Sequence, residues 1–271
     1  MGTSGSYGGP GGGPGLLPDW AFPPEAAGQP PGTQQPPSQL PVPPALVGPW
    51  IAAKTNLTRY ASGSSRSPRE AARSYVAAKG GARSAMRHAT SGRAMVAGMA
   101  FFLTTAATKG IGVAFETLGL SGIVGQNAEV VLAAIANAIA PDGSSLESSA
   151  ARKATADLLA ALYDRYFSDA GDLTAFEEMK ADDIREVVEE SVSAYIYNRW
   201  LQELGLSIEK GAVSIAEAIR LERELKAYVR ECVRLELAER DALAINWSGR
   251  EGHQIIESVF QDAYALLEVS Q

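Results

Sequence analysis

An all-α body of about seven or eight helices, preceded by a disordered Gly/Pro-rich tail, is the fold that these 271 residues predict. Three observations carry that expectation. The first fifty residues hold 13 of the 15 prolines and 11 of the 27 glycines, and such a segment buries too little apolar area to offset the entropy of ordering it. Beyond it, apolar residues return at spacings of three and four, the period of one helix face. No window of alternating β-branched residues bounded by hairpin turns competes with that pattern.

Taken along the chain, residues 1–50 read as the tail, 51–93 as a basic Ser/Arg/Ala linker with a short helix, and 94–271 as the helical domain. In the linker, Pro68 suits the first turn of a helix and Gly80-Gly81 ends it. Ala94 to Phe115 is the most apolar stretch. Its uninterrupted part, Ala94 to Thr108, falls short of the roughly 20 residues that span a bilayer, so it reads as one buried central helix rather than a membrane segment. Val130, Val131, Ala134, Ile135, Ala138 and Ile139 then repeat at helical spacing until Pro141-Asp142-Gly143 stops them.

Four Ser/Thr-x-x-Glu pairs have the form of capping boxes: Ser144 with Glu147, Thr174 with Glu177, Ser214 with Glu217, and Ser248 with Glu251. Ile184, Val187, Val188, Val192, Tyr195, Ile196 and Trp200 trace one apolar face that ends near Gly205. Ile215, Ile219, Leu225, Tyr228, Val229 and Cys232 trace another. Ile255, Ile256, Val259, Phe260, Ala263, Leu266 and Leu267 form the last.

Net charge is −7, but it is polarised: residues 51–110 carry ten Lys/Arg against Glu70 alone, and 111–271 carry 14 bases against 28 acids. The bases Arg66, Arg69, Arg73, Lys79, Arg83 and Arg87 are candidates for contact with nucleic-acid phosphates or with an acidic partner. Lys and Arg gain affinity for phosphates by releasing counterions. The competing reading docks them on the acidic half of their own chain. Tyr60 and Tyr75 are the only aromatics among them, which is thin support for a base-stacking platform.

Catalytic patterns are scarce. His88 and His253 form no metal spacing, and no cofactor or metal is implied. Cys232 stands alone, which excludes a disulfide framework and suits a reducing cytoplasm. It lies on an apolar face, where an inert thiol is the default. Gly119, Gly122 and Gly125 do not follow a strand, and no phosphate loop occurs. The pairs Glu177-Glu178, Asp182-Asp183 and Glu189-Glu190 suit a solvated helix face better than acid–base chemistry. The Met1 end lacks a secretory pattern, so a cytoplasmic, non-enzymatic protein is expected. MGTSGS also satisfies the loose myristoylation pattern.

The opening MGTSGSYGGP and the stretch Leu16-Leu17-Pro18-Asp19-Trp20 resemble the QatB family. So do the basic Ser/Arg segment and the block from Leu118-Gly119-Leu120 through Val124-Gly125 and Val130-Val131-Leu132-Ala133-Ala134 to Pro141-Asp142-Gly143. These proteins are components of the bacterial Qat antiphage system. The resemblance implies a non-enzymatic adaptor or substrate subunit beside an ATPase, a QueC-like enzyme and a TatD-like nuclease. A QueC fold activates the carboxylate of a 7-deazaguanine with ATP and delivers it to a nitrogen nucleophile. That implies Gly2 as a modification acceptor, with Thr3 and Ser4 read by the partner. Once Met1 is removed, a glycine α-amine titrates near 7.7–8.0, against about 10.4 for lysine. A nucleic-acid sensor using residues 54–93 is the alternative, and a membrane-active effector using Ala94–Phe115 ranks behind both.

Overall fold

Alanine and glycine decide how closely these helices approach, and the large side chains fill what remains. In the computed structural model, the described residues are 47–65, 68–123, 126–166, 173–209, 220, 223–224, 226–231 and 241–269. The expected tail, residues 1–50, therefore lies outside them except for 47–50, which open a helix instead. All described residues belong to the unit Val42–Gln271. Among them are nine α-helices, eight of seven residues or more, and no strand. The helices are α1 Val47–Ala61, α2 Pro68–Ala78, α3 Ala82–Arg87, α4 Thr90–Lys109, α5 Ile111–Thr117, α6 Ala128–Ile139, α7 Leu146–Tyr166, α8 Ala181–Glu209 and α9 Arg250–Val269. Short 3-10 turns occupy Ser121–Ile123 and Leu173–Glu178.

Helix α4 is the pivot, packed against α5, α6, α7, α8 and α9. Gly92 makes one of these contacts possible: a Cβ there would stand 2.6 Å from the Tyr195 ring of α8. Met95, Val96, Met99, Ala100, Phe102, Leu103 and Ala106 are all inaccessible to solvent. Phe102 meets Phe115 of α5 and Phe176 of the second 3-10 turn at ring-centre distances of 5.9 and 6.1 Å. The apolar stretch is not one helix. Gly110, at φ 92°, breaks it into α4 and α5, and the first amide of α5 donates to Glu177 Oε1 at 2.8 Å.

Residues 51–93 differ from the linker their composition suggests, because they fold into α1, α2, α3 and the start of α4. The reason is alanine. Ala53, Ala71, Ala72, Ala82 and Ala85 are buried and let these helices lie close, with α1 against α2 and α8, and α2 and α3 against α9. Between α2 and α3 the chain turns through Gly80 and Gly81, both near φ +86°, a region that L side chains rarely enter.

The faces read from periodicity hold in α8, where all seven residues from Ile184 to Trp200 are buried. That helix continues past Gly205 to Glu209. In α6 the buried edge is narrower than expected, comprising Val131, Ile135 and Ile139, while Val130 and Ala138 are exposed. In α9 Leu266 is exposed and the other six residues are buried. One of the capping boxes is relocated. Ser145, not Ser144, caps α7 by accepting from the Ser148 amide at 3.0 Å, and Asp183 accepts from the Lys180 amide before α8 at 2.8 Å. The pair Ser214 and Glu217 and the residue Cys232 lie outside the described residues.

Candidate functional site

The basic segment divides into two populations, and helix phase decides which residue joins which. On α2 the inward face is Ala71, Ala72, Tyr75, Val76 and Ala78, all buried. Lys79, one residue beyond the helix and four after Tyr75, follows that inward face. Arg69 and Arg73 fall on the outward side and are exposed. On α3, Ala82 and Ala85 point inward, and Arg83 and Arg87 are exposed.

Lys79 enters a polar hub built with α8. Its Nζ donates to Glu203 Oε1 at 2.8 Å, and the Arg199 guanidinium reaches the same carboxylate oxygen at 2.7 Å. The Tyr75 hydroxyl donates to Glu203 Oε2 at 2.9 Å. The charged side chains are only 9, 13 and 10 % exposed for Lys79, Arg199 and Glu203. Aromatic rings enclose them. Tyr75 stacks on Trp200 at 5.6 Å and 13°, Trp50 of α1 meets Tyr75 edge-on at 6.3 Å, and Lys79 lies 5.8 Å from the Trp50 ring centre.

Burial dominates the electrostatics of this hub. Desolvation, reinforced by the neighbouring Tyr264 and the Glu203 charge, holds the Tyr75 hydroxyl well above the ordinary tyrosine range. Tyr195 and Tyr264 are raised by burial as well, and Arg199 opposes the rise in both. Arg199 Nη1 and Trp200 Nε1 are buried with no hydrogen-bond partner among the described residues. Trp200 was legible only as a core residue, and Glu203 and Arg199 carried no sequence signal beyond an i, i+4 acid–base spacing.

Arg93, at the start of α4, pairs with Glu257 of α9. The docking of bases onto the chain's own acidic half therefore holds for Lys79 and Arg93. It does not hold for Lys54, Arg59, Arg73, Arg83 or Arg87, which enter no ion pair among the described residues and are exposed. Arg69 is exposed but has a partner. Gly2, Thr3, Ser4 and Arg66 lie outside the described residues.

A groove of about 510 Å³ opens elsewhere, between α7, α8 and the residues Arg223, Lys226, Ala227 and Arg230. Leu158, Ala161 and Ala194 line it together with the charged Asp157, Glu190 and Arg230. Its polar groups are largely engaged with one another. Asp157 accepts from Lys153 and from Asn198, and Arg230 approaches Glu190 at 3.6 Å. Both signs of charge are present, so the groove selects no single ligand charge.

The remaining chemistry-bearing residues serve structure. Glu177 caps α5, Asp182 pairs with Arg185 at 3.0 Å, and Glu147 accepts from the Ser91 amide at 2.6 Å. Glu189 is buried. His88 and His253 are exposed on separate helix ends. No group of three or more His, Cys, Asp or Glu among the described residues could hold a metal. No helix among them is long and apolar enough to cross a membrane.

Comparison with known proteins ties this arrangement to one lineage. No curated protein and no solved structure matches the chain. A family model described as Qat anti-phage system associated protein QatB matches residues 80–267. The matched span starts at the Gly80-Gly81 turn and takes in α3 through nearly all of α9, including Arg199 and Glu203 of the hub. It covers more than two thirds of the sequence, and the chain belongs to the QatB family of anti-phage system proteins.

Proposed function

We propose that this chain is a non-enzymatic adaptor and substrate subunit of an antiphage complex, with its N-terminal segment presented to a QueC-like partner of the same operon. The observation that supports the reading is a division of labour along the sequence. Thirteen of fifteen prolines and no Lys or Arg lie in the first fifty residues, ahead of or at the start of α1, while the family match begins at residue 80. Helix α1, which follows that segment in the sequence, packs on the body through the buried Leu57 and Tyr60 and through the contact of Trp50 with Tyr75.

Gly2 is the proposed acceptor, and Thr3 and Ser4 the residues that follow it into the partner. With Met1 removed, the unprotonated α-nitrogen attacks the carbonyl carbon of a 7-deazaguanine carboxylate that the partner has activated with ATP. An amide bond forms, the bond to the activating group breaks, and the nitrogen releases one proton. At cell pH a sizeable fraction of a glycine α-amine is unprotonated, which a lysine amine is not. The ATPase and the TatD-like nuclease are the further partners on this reading.

Intact-mass measurement of the full chain co-expressed with the QueC-like protein tests it. The expected result is an adduct confined to the N-terminal peptide and absent from Gly2→Pro. An unmodified mass under conditions where the partner is active contradicts the proposal.

A further inference from the structure

The outer surface of α1, α2 and α3 carries Lys54, Arg59, Arg73, Arg83 and Arg87, all exposed, with Arg69 beside Arg73 on α2. We propose that this surface binds the phosphate backbone of a nucleic-acid duplex, without reading its sequence.

The first support is that five of these bases, Arg69 apart, enter no ion pair among the described residues. The three helices form a layer over α8 and α9 whose inner contacts are alanine and aromatic. The bases that the fold uses, Lys79 and Arg93, are paired with Glu203 and Glu257. None of the other five makes an ion pair among the described residues, although the body beneath is rich in acids. Arg69 with Arg73, and Arg83 with Arg87, are spaced i, i+4, which puts two positive charges on one stripe of each helix. Like charges at that spacing weaken a helix.

The second support is the chemistry of the surface. Four of these six bases sit on α2 and α3 and all four are arginine, whose planar fork matches phosphate oxygens in pairs. The exposed residues of α2 and α3 are Arg69, Glu70, Arg73, Ala77, Arg83 and Arg87, with no large apolar side chain among them. A protein partner is usually held by buried aromatic or aliphatic anchors, and this part of the face offers none. Tyr60 and Tyr75 offer no base-stacking platform, because they are 3 and 0 % exposed and their hydroxyls are tied to Glu224 and Glu203, and the partly buried Trp50 is packed on Tyr75. What remains is contact with the backbone, and the surface stands independently of any modification at Gly2.

The test is fluorescence anisotropy of the full chain with a labelled mixed-sequence DNA or RNA duplex, over a range of salt. About five phosphate contacts give a log–log salt slope near −4.5. The variant R73E/R83E/R87E should lose more than about 100-fold in affinity and flatten the slope by about three, since each contact contributes close to one unit of slope. Lys153→Glu on the exposed side of α7 should change neither. Circular dichroism checks that each variant keeps its helix content, and R73Q/R83Q/R87Q provides the same reading without added negative charge. Duplex binding that survives both triple variants overturns the proposal. So does the absence of binding at low salt by a folded wild-type chain, or binding of polyglutamate in place of either duplex.

Discussion

Lys79 and Arg83 are four residues apart in a segment that reads as uniformly basic, yet the side chain of one is only 9 % exposed and the other faces solvent. Lys79 lies on the inward side of α2 and meets Glu203 at 2.8 Å under the Trp50 and Tyr75 rings. Arg83 comes after the Gly80-Gly81 turn, on the outward side of α3. The contrast teaches that the charge total of a segment says little about role. A base becomes structural where helix phase brings it to a fixed acid, and it stays available where phase turns it away.

The hub is where that contrast breaks most readily. Glu203 neutralises two bases that are almost fully buried, so Glu203→Gln leaves both without a counter-charge. Unfolding in urea should show a loss of about 3 kcal/mol, the scale for removing one partner of a buried ion pair. Should the variant stay within about 0.5 kcal/mol of wild type, the hub is a surface feature and the comparison fails.

Packing around the hub gives the next effect. Gly92→Ala puts a Cβ against the Tyr195 ring, 2.6 Å away in the undisturbed geometry. Overpacking of this kind destabilises by about 1–3 kcal/mol, partly offset by about 1 kcal/mol from the better helix propensity of alanine. A small net loss in the same urea assay is expected, and Tyr195→Leu should recover part of it by removing the clash.

The smallest effect at neutral pH comes from the tyrosines. Burial raises the hydroxyls of Tyr75, Tyr195 and Tyr264 above their unfolded value, so the folded state favours their neutral form. That contribution is fully present below about pH 10, the unfolded value, and is lost as pH rises above it. Absorbance at 295 nm should show these three ionising only together with loss of helix. Ionisation below pH 10 with the helices intact contradicts the burial.

Much of the fold was legible in the sequence where one face is purely apolar. Ile184 through Trp200 in α8 and most of Ile255 to Leu267 in α9 are buried as their spacing implies. The reading missed where small residues act. Alanine carries little hydrophobic signal, so 51–93 resembled a linker although Ala53, Ala71, Ala72 and Ala85 bury its helices. The cap of α7 moved for a related reason, since Ser144 and Ser145 are both plausible and only the chain path selects Ser145. At the candidate site, the basic residues were visible but their division was not. That division depends on Glu203 and Glu257, distant acids that composition cannot place.

The most direct test sets the two populations against each other in one experiment. Urea unfolding and duplex anisotropy are measured on Glu203→Gln and on R73E/R83E/R87E side by side. The account predicts a crossover: the hub variant loses stability while its folded fraction binds duplex as wild type does. The arginine variant should lose duplex binding while its unfolding midpoint is unchanged. Loss of both properties by each variant, or of neither, contradicts the separation of structural from available charge.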